Sequence, residues 1–368
     1  MTAWGAGRRR VLMVTARFPP YSGGIETHVR EVAPRLARQG VDVVVLTTDL
    51  SGELPEREIV EGVEVLRVPA YPRDRDYHFA PAILSHVRPA SYDLVHLQGY
   101  HNLVAPLTMI AARRARIPFV VSFHSGGHSA RIRRMVRGVQ RVALRPGFVS
   151  AARLVAVSQF ELELFSRSLR LARSRFVLIR NGSRMPLPST APDPNVPLVL
   201  SVGRLEHYKG HHRLIGAWPS VLERQPGARL RILGVGPYEA ELRRQVHERG
   251  MGANIEIASI PAGSPQAMAD ALGRAHVVAL LSDYEAHPVA ITEALAVGRP
   301  VLVSQTSGLN ELVDAGLARG LPSNAGPEEI SRGILQQLED PLPVDTRALA
   351  TWDDTASQLH DLYRSVLR

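Results

Sequence analysis

The chain has 368 residues, 45% of them hydrophobic, which is enough for two ordinary globular cores. It contains no cysteine, so disulfide scaffolds, thiolate nucleophiles and cysteine zinc sites are excluded. The net charge of +9 is uneven, because residues 1–185 carry 28 basic and 14 acidic side chains whereas residues 186–368 carry 16 and 21. Aromatic residues make up only 5% of the chain and do not alternate with the arginines, so we expect no nucleic-acid partner.

In the first half, short apolar runs alternate with segments of helical spacing. This pattern predicts a parallel, doubly wound sheet. The predicted strands are RVLMVTA, VDVVVLT, VEVLRVP, DLVHL, FVVSFH, LVAVS and FVLIR. No run reaches the roughly 20 apolar residues that a membrane-spanning helix needs. The apolar core of the N-terminal segment, which ends before Arg17, is too short for a signal peptide. We therefore expect a cytoplasmic enzyme.

Three residues in this half are candidates for a ligand site at the edge of the predicted sheet. Gly23 and Gly24 open the first predicted helix, where a missing Cβ lets backbone amides approach a ligand phosphate. His124 ends the strand FVVSFH and precedes a glycine pair. Asp74 and Asp76 form an Asp-x-Asp pair, but arginines flank it and it lies away from any predicted strand end, so we expect no metal there.

Residues 131–145 combine an apolar helical stripe with many arginines, as helices that lie at a membrane surface do. The stripe is Ile132, Met135, Val136, Val139 and Val142. A helix that packs this stripe into the core and exposes its basic face has the same pattern. Both interpretations stay open: peripheral contact with the inner membrane face, or ordinary packing.

Residues 186–197 contain five prolines and are predicted to be a linker. Strand and helix signals then resume with LVLSVG, ARLRILGVG, NIEIAS, VVALLS and PVLVS. We predict a first domain over residues 1–185 and a second over 198–346, followed by an amphipathic helix within 347–368. Gly234 lies in a turn similar to that of Gly23 and Gly24 and is predicted to contact the ligand. The turn has only part of a dinucleotide-binding fingerprint, so NAD is weakly supported and no cofactor is predicted.

Lys209 is the only lysine among 44 basic residues, and it stands with Arg204 where an apolar strand runs into a helix. A compact ammonium enters a crowded diphosphate site as a point charge, which a planar guanidinium cannot do in the same way. The pair predicts an anion site at this strand end.

Glu285 and Glu293 lie eight residues apart across another strand-to-helix junction. Pro288 is predicted at the first helical position, which leaves the amides of Val289 and Ala290 available to a phosphate. An acid such as Glu293 on an apolar helix is costly to bury unless it meets hydroxyls or a cation. A sugar or ribose would supply those hydroxyls.

Together these motifs resemble the retaining GT-B glycosyltransferases of family 4. The similar features are a strand followed by G-R-x(4)-K-G, a later Gly-rich turn, and E-x(7)-E with G-x-P and Gly-x-x-Glu after it. The resemblance implies an α/β GT-B fold, with two Rossmann-like doubly wound parallel-sheet domains facing across a cleft. It also implies that the terminal helix returns to the first domain.

The resemblance implies roles for individual residues. Arg204 and Lys209 would neutralise the donor diphosphate, Glu285 and His124 would contact the transferred sugar, and Glu293 would bind the ribose. The implied reaction is metal-independent transfer of a sugar from a nucleoside-diphosphate donor, UDP first and GDP as an option, to an unidentified small-molecule, glycan or lipid-linked acceptor. A nucleotide-sugar-binding protein without turnover and a sugar-nucleotide epimerase of the same architecture are the alternatives.

One departure from the family concerns the segment Glu285-Ala286-His287-Pro288, where the usual pattern is E-G-F-G. Proline removes an amide that would face the sugar hydroxyls. We expect either that His287 replaces that hydrogen bond or that the sugar lacks the hydroxyl.

Overall fold

The computed structural model describes residues 8–21, 23–73, 77–125, 131–261 and 263–368. Within residues 131–137 it describes the backbone but not the side chains. The pair Asp74 and Asp76 and the first half of the basic segment therefore lie outside the described side chains.

The first of two compact units contains the described residues up to Ser125, Ile132–Gly182 and Thr351–Arg368. It is built on one eight-stranded sheet. The strands are β1 Arg10–Thr15, β2 Asp42–Asp49, β3 Arg57–Val60, β4 Val63–Pro69, β5 Leu94–Gln98, β6 Phe119–Ser122, β7 Arg153–Ala156 and β8 Phe176–Leu178. Their spatial order is β3-β4-β2-β1-β5-β6-β7-β8.

All these strands are parallel except β3, which pairs antiparallel with β4 at the edge of the sheet. The sequence prediction missed β3 because this strand has only four residues, two of them charged, and lacks the apolar run of the other strands. The central strands β1 and β5 are buried almost throughout, as expected for strands with helices on both faces.

Within the described part of the chain, five helices of this unit lie between its strands, and a sixth comes from the end of the chain. They are α1 Gly24–Arg38, α2 Ile83–His86, α3 Val104–Ala115, α4 Arg131–Ser150, α5 Gln159–Leu169 and, from the end of the chain, α12 Trp352–Val366. Thr351 and Asp354 form a capping box that starts α12. This helix packs on α1, where Arg35 lies 3.1 Å from Asp353.

The second unit, Ser183–Ala350, contains a six-stranded, fully parallel sheet. Its strands are β9 Leu198–Val202, β10 Arg229–Leu233, β11 Ile255–Ala258, β12 Val277–Leu280, β13 Val301–Gln305 and β14 Arg319–Pro322. Its helices are α6 His211–Arg224, α7 Glu239–Glu248, α8 Pro265–Arg274, α9 Val289–Ala296, α10 Leu309–Asp314 and α11 Pro327–Glu339.

The strand order of this second sheet is β11-β10-β9-β12-β13-β14. The chain therefore moves outward from β9 in one direction and then returns to build β12 on its other side. The first sheet reverses in the same way between β1 and β5. In open α/β sheets a ligand crevice forms at such a switch point, beyond the carboxyl ends of the strands.

Candidate functional site

Lys209 and Glu285 meet at the switch point of the second sheet. Lys209 ends a short 3₁₀ turn, His207–Lys209, which follows β9, and Glu285 follows the neighbouring strand β12. The Lys209 Nζ lies 2.5 Å from Glu285 Oε1, and the Ser282 hydroxyl donates to the same oxygen at 2.8 Å. The two loops are also joined through their backbones, because the Asp283 amide donates to the Tyr208 carbonyl at 2.8 Å.

This ion pair is largely withdrawn from solvent, with 15% of the Lys209 side chain and 9% of the Glu285 side chain exposed. Burial acts to lower the pKa of Lys209, but the charge of Glu285, the proximity of Tyr208 and the hydrogen bond to Glu285 together raise it above its usual value. Lys209 is therefore a fixed positive charge at neutral pH, at the carboxyl edge of the sheet.

Arg204 lies on the loop directly after β9, with 49% of its side chain exposed and its guanidinium 3.4 Å from Glu206. Its backbone is held by His211, whose Nε2 is 3.3 Å from the Arg204 carbonyl while its Nδ1 is 2.9 Å from the Ser201 hydroxyl. Burial lowers the pKa of His211 to about 4, so the ring is neutral at pH 7. Sequence reasoning missed His211, although it stands beside the Lys-Gly pair.

Glycines allow these loops to approach each other closely. Gly210 has a φ of +75°, and a Cβ there would collide with the Leu281 carbonyl at the end of β12. A Cβ on Gly234 would collide with the Gly203 carbonyl. Gly234 therefore packs its turn against the Arg204 loop, which is a structural reason for a glycine that the sequence suggested as a ligand contact.

A second turn supports the backbone of Glu285. The Glu285 amide donates to the Ser307 hydroxyl at 2.9 Å, and the Gly308 amide donates to the Glu285 carbonyl at 2.8 Å. A Cβ on Gly308 would collide with the Ala286 carbonyl. The Gly-x-x-Glu turn thus holds the strand end that carries Glu285.

Helix α9 begins one residue later than predicted. Pro288 has an extended conformation, with φ −76° and ψ 106°, and stands before the helix, so Val289 is the first helical residue. Val289 and Ala290 are then among the first residues of α9, whose amides have no intrahelical acceptor. Glu293 follows in the same helix and is half-buried.

In the first unit, His124 directly follows β6 and is 9% exposed, with a left-handed φ of +45°. Its Nε2 lies 2.8 Å from the Gln98 side-chain oxygen, and the His28 ring stands edge-on 4.6 Å away. Neither Gln98 nor His28 was identified from the sequence, because a buried polar residue within an apolar strand or a helix has no signal of its own.

Gly24 is the first residue of α1 and Gly23 precedes it. Gly23 is extended, with φ 170°, and a Cβ there would meet the flexible Glu26 carboxylate, so the backbone conformation does not require glycine. The structure thus unites Arg204, Lys209 and Glu285 at one sheet edge, with Glu293 on the following helix. His124, Gly23 and Gly24 belong to the other unit.

Among the residues that the structure describes, no group of three or more histidines and carboxylates could hold a metal ion. Within the same residues, every helix is too short or too polar to cross a bilayer.

Comparison with known proteins gives consistent results over both units. Residues 188–351 match the family described as Glycosyl transferases group 1, and residues 23–182 match the Glycosyl transferase 4-like domain. The D-inositol 3-phosphate glycosyltransferase of Nocardiopsis dassonvillei is 28% identical over 94% of this chain and 90% of its own length. The glycogen synthase of Mycobacterium tuberculosis is 27% identical over 98% and 95%.

Solved structures are similar over nearly the whole chain. Sucrose-phosphate synthase from Thermosynechococcus elongatus has a TM-score of 0.79 at 20% identity and covers 98% of this chain and 99% of its own. HepE of Anabaena, in complex with UDP and glucose, has a TM-score of 0.72 at 22% identity, with coverage of 98% and 97%. These likenesses confirm the predicted α/β fold with two doubly wound sheets.

Proposed function

The chain belongs to the glycosyl transferases of group 1, and from this premise we propose that it transfers a hexosyl group from a nucleoside-diphosphate sugar with retention of the anomeric configuration. A UDP-sugar is the favoured donor and a GDP-sugar the second choice. The reaction proceeds without a metal ion, and the acceptor is left open.

The observation that carries this proposal is the Lys209–Glu285 pair at the switch point between β9 and β12, with Arg204 on the adjoining loop. Departure of a diphosphate develops negative charge, and preorganised cations and helix amides stabilise such charge in the transition state. Lys209, Arg204 and the first amides of α9 supply cations and donors of this kind. A divalent ion is therefore not needed to neutralise the leaving group.

The ligands of similar proteins support a UDP-sugar as the donor. HepE is described in complexes with UDP and with UDP-glucose, whereas starch synthase IV of Arabidopsis thaliana is described bound to ADP. HepE is the more similar of the two, with 22% identity against 12%, and for this reason we favour uridine.

We assign Glu285 to the transferred sugar and Glu293 to the ribose of the donor. Because the two carboxylates serve different parts of one molecule, a double displacement with both is disfavoured. In a same-face mechanism the bond from the anomeric carbon to the diphosphate breaks as the acceptor oxygen attacks that carbon. The leaving phosphate then takes the acceptor proton.

The Ala286-His287-Pro288 segment affects which donor sugar the enzyme uses. Pro288 lacks an amide hydrogen and stands directly before α9. Either His287 supplies the missing donor, or the sugar lacks that hydroxyl. Parallel assays with fully hydroxylated and deoxy donors distinguish these cases. If His287 supplies the hydrogen-bond donor, a His287→Ala change lowers turnover of the fully hydroxylated sugar and not that of the deoxy sugar.

The test of the proposed function begins with thermal shift against UDP, GDP, ADP and NAD, with and without EDTA. We expect stabilisation by one nucleoside diphosphate that the chelator does not alter. Turnover of the matching sugar nucleotide is then followed by NMR of the anomeric proton. Inverted product would contradict retention, donor consumption without acceptor would indicate an epimerase, and stabilisation without any turnover would indicate a binding protein.

We further propose that α4 brings the enzyme to the cytoplasmic face of an anionic membrane. In this helix Leu144 and Phe148 pack into the core, while Val139 and Val142 are 71% and 70% exposed. These two exposed valines are thus separate from the buried face of the helix. The segment 131–150 contains six arginines and no acidic residue, which complements anionic headgroups.

Sedimentation with vesicles tests this surface. We expect binding to phosphatidylglycerol vesicles and none to phosphatidylcholine vesicles, and we expect Val139→Asp/Val142→Asp to abolish it. Leu187→Asp is the matched control, because Leu187 is 90% exposed but lies in the proline-rich segment of the other unit. Equal binding by the double variant would overturn the membrane proposal.

A further inference from the structure

We propose that Gln98 is a positioning residue that holds the His124 imidazole in the tautomer with its proton on Nε2. The inference rests on the proposed function and adds one premise to it, that His124 contacts the donor sugar, as the family resemblance implies. The hydrogen bonds that define the tautomer lie entirely within the first unit.

The contacts form one buried chain. The His124 Nε2 lies 2.8 Å from Gln98 Oε1, and the Gln98 side-chain nitrogen lies 3.2 Å from His96 Nδ1. The Tyr363 hydroxyl of α12 is 2.6 Å from the same His96 nitrogen, and His96 Nε2 is 2.8 Å from the Ser122 hydroxyl. All five residues are at most 9% exposed.

The donors and acceptors available on each side chain determine the direction of these hydrogen bonds. The Gln98 amide nitrogen can only donate, so the His96 Nδ1 accepts, and the proton of the neutral His96 ring is on Nε2 toward Ser122. Burial lowers the pKa of His96 to about 3, which keeps that ring neutral. The Gln98 oxygen therefore faces His124 and can only accept, which requires a proton on the His124 Nε2.

The opposite tautomer of His124 would place two acceptors 2.8 Å apart in a buried site. Two buried acceptors with no proton between them lower the population of that tautomer by roughly tenfold to a hundredfold. With the proton on Nε2, the Nδ1 has the lone pair and acts as a hydrogen-bond acceptor. A sugar hydroxyl is a donor that suits it.

The backbone on both sides of His124 is held by hydrogen bonds, which fixes the position of its Cα. The Phe123 amide donates to the Val155 carbonyl at 3.1 Å. The Ser125 amide donates to the Glu161 carboxylate at 2.6 Å, and that carboxylate also accepts from the Val157 amide. His124 itself has a left-handed φ of +45° between these two anchors.

Among the described residues near His124, two other titratable side chains, His28 and Glu161, have defined hydrogen bonds. His28 from α1 meets the ring edge-on at 4.6 Å and binds Asn181 through its Nδ1 at 2.9 Å. Burial lowers the pKa of His28 to about 4, so it is uncharged near neutral pH. The Glu161 carboxylate from α5 accepts a hydrogen bond from the Ser125 amide. The Tyr363 hydroxyl is linked to the His124 ring through His96 and Gln98.

The first experiment needs no donor. Long-range ¹H–¹⁵N spectra of ¹⁵N-histidine-labelled full-length protein report the tautomer of each neutral ring, and His124→Gln identifies the His124 signals. We expect the Nε2–H form in the wild type and a mixture in Gln98→Met. Tyr363→Phe should keep the wild-type form, because Gln98 still donates to His96.

Thr108→Val is the matched control. Thr108 is a fully buried polar residue of the same unit, and its change to an apolar residue should leave the His124 signals unaltered. A wild-type ring with its proton on Nδ1, or a Gln98→Met spectrum identical to wild type in a folded protein, would overturn the proposal.

Turnover provides a second readout. We expect Gln98→Met to lower kcat/KM about tenfold, as loss of one tautomer-fixing hydrogen bond predicts. Gln98→Glu places a carboxylate beside Nε2, which favours the imidazolium and moves the acid limb of the kcat/KM profile to higher pH. An acid limb that stays where the wild type has it would count against Gln98. Absence of sugar-nucleotide turnover by the wild type would refute the proposed function instead, and leave the spectra to decide the tautomer.

Discussion

The Lys209 Nζ and the Glu285 Oε1 lie 2.5 Å apart, although the two residues are separated by 76 positions along the chain. They meet because β9 and β12 are neighbours in the sheet. The two opposite charges meet where both side chains are largely withdrawn from solvent, so removal of either is expected to affect both activity and stability.

We expect Lys209→Met to lower kcat/KM about a hundredfold to a thousandfold, the usual cost of losing one group that stabilises developing negative charge. Lys209→Arg should fall well short of full rescue, because a planar guanidinium does not reproduce the point charge of an ammonium. Initial rates at varied donor concentration measure both. Arg243→Met, on exposed α7 of the same unit, is the control and should be unaffected. Near-wild-type turnover of Lys209→Met would show that Lys209 does not stabilise the leaving group.

Stability should show that the pair acts as a unit. Removing one partner leaves the other charge buried and uncompensated, so we expect Lys209→Met and Glu285→Gln each to lower the free energy of unfolding by about 3 kcal/mol. The double variant should lose much less than the sum of the two, because neighbouring residues are not additive. Urea unfolding of the four proteins measures the coupling. Strict additivity would mean that the two side chains do not interact in solution.

Gly210 and Gly250 provide a matched comparison of backbone strain. Both have positive φ, +75° and +64°, but a Cβ on Gly210 would collide with the Leu281 carbonyl whereas nothing lies near Gly250. Gly250→Ala should cost about 1–2 kcal/mol, the strain of the left-handed conformation alone. Gly210→Ala should cost more and should also reduce turnover, since it displaces the Lys209 loop from the end of β12. Equal losses of stability in the two variants would contradict the close packing.

Acid should destabilise the protein through its buried histidines. Burial lowers the pKa of His211 to about 4 from an ordinary 6.5, so between these values the unfolded chain binds a proton that the folded chain does not. The stability due to neutral His211 is fully present above pH 6.5 and is lost as the pH falls toward 4. This loss amounts to about 3 kcal/mol at most.

His211→Gln cannot bind that proton, so its free energy of unfolding should fall less steeply with pH than that of the wild type over the same window. Urea midpoints at intervals between pH 7 and pH 4 measure the difference, and the carboxylates contribute equally to both proteins. Parallel curves for the two proteins would show that His211 does not titrate differently on unfolding.

Much of the architecture could be read from the sequence because it depends on local patterns. Apolar runs of strand length, helical periodicity and the proline-rich segment predicted the alternating elements and the sheet class, and residues such as Lys209 and Glu285 could be placed at strand ends from their position after those runs. The edge strand β3 could not be read in this way. Its four residues, two of them charged, pair with β4 through backbone groups, which have no side-chain signature.

Only the tertiary structure decided which residues distant in the sequence are in contact. Strand order brings Lys209 onto Glu285, and the same packing connects Tyr363 of the last helix to His96, Gln98 and His124. It also separates the buried face of α4 from its exposed valines. Local periodicity specifies which face of an element is apolar, but not which elements become neighbours. Neighbours are selected by the joint burial of those faces and by the pairing of most buried polar groups, and both are realised only in the folded chain.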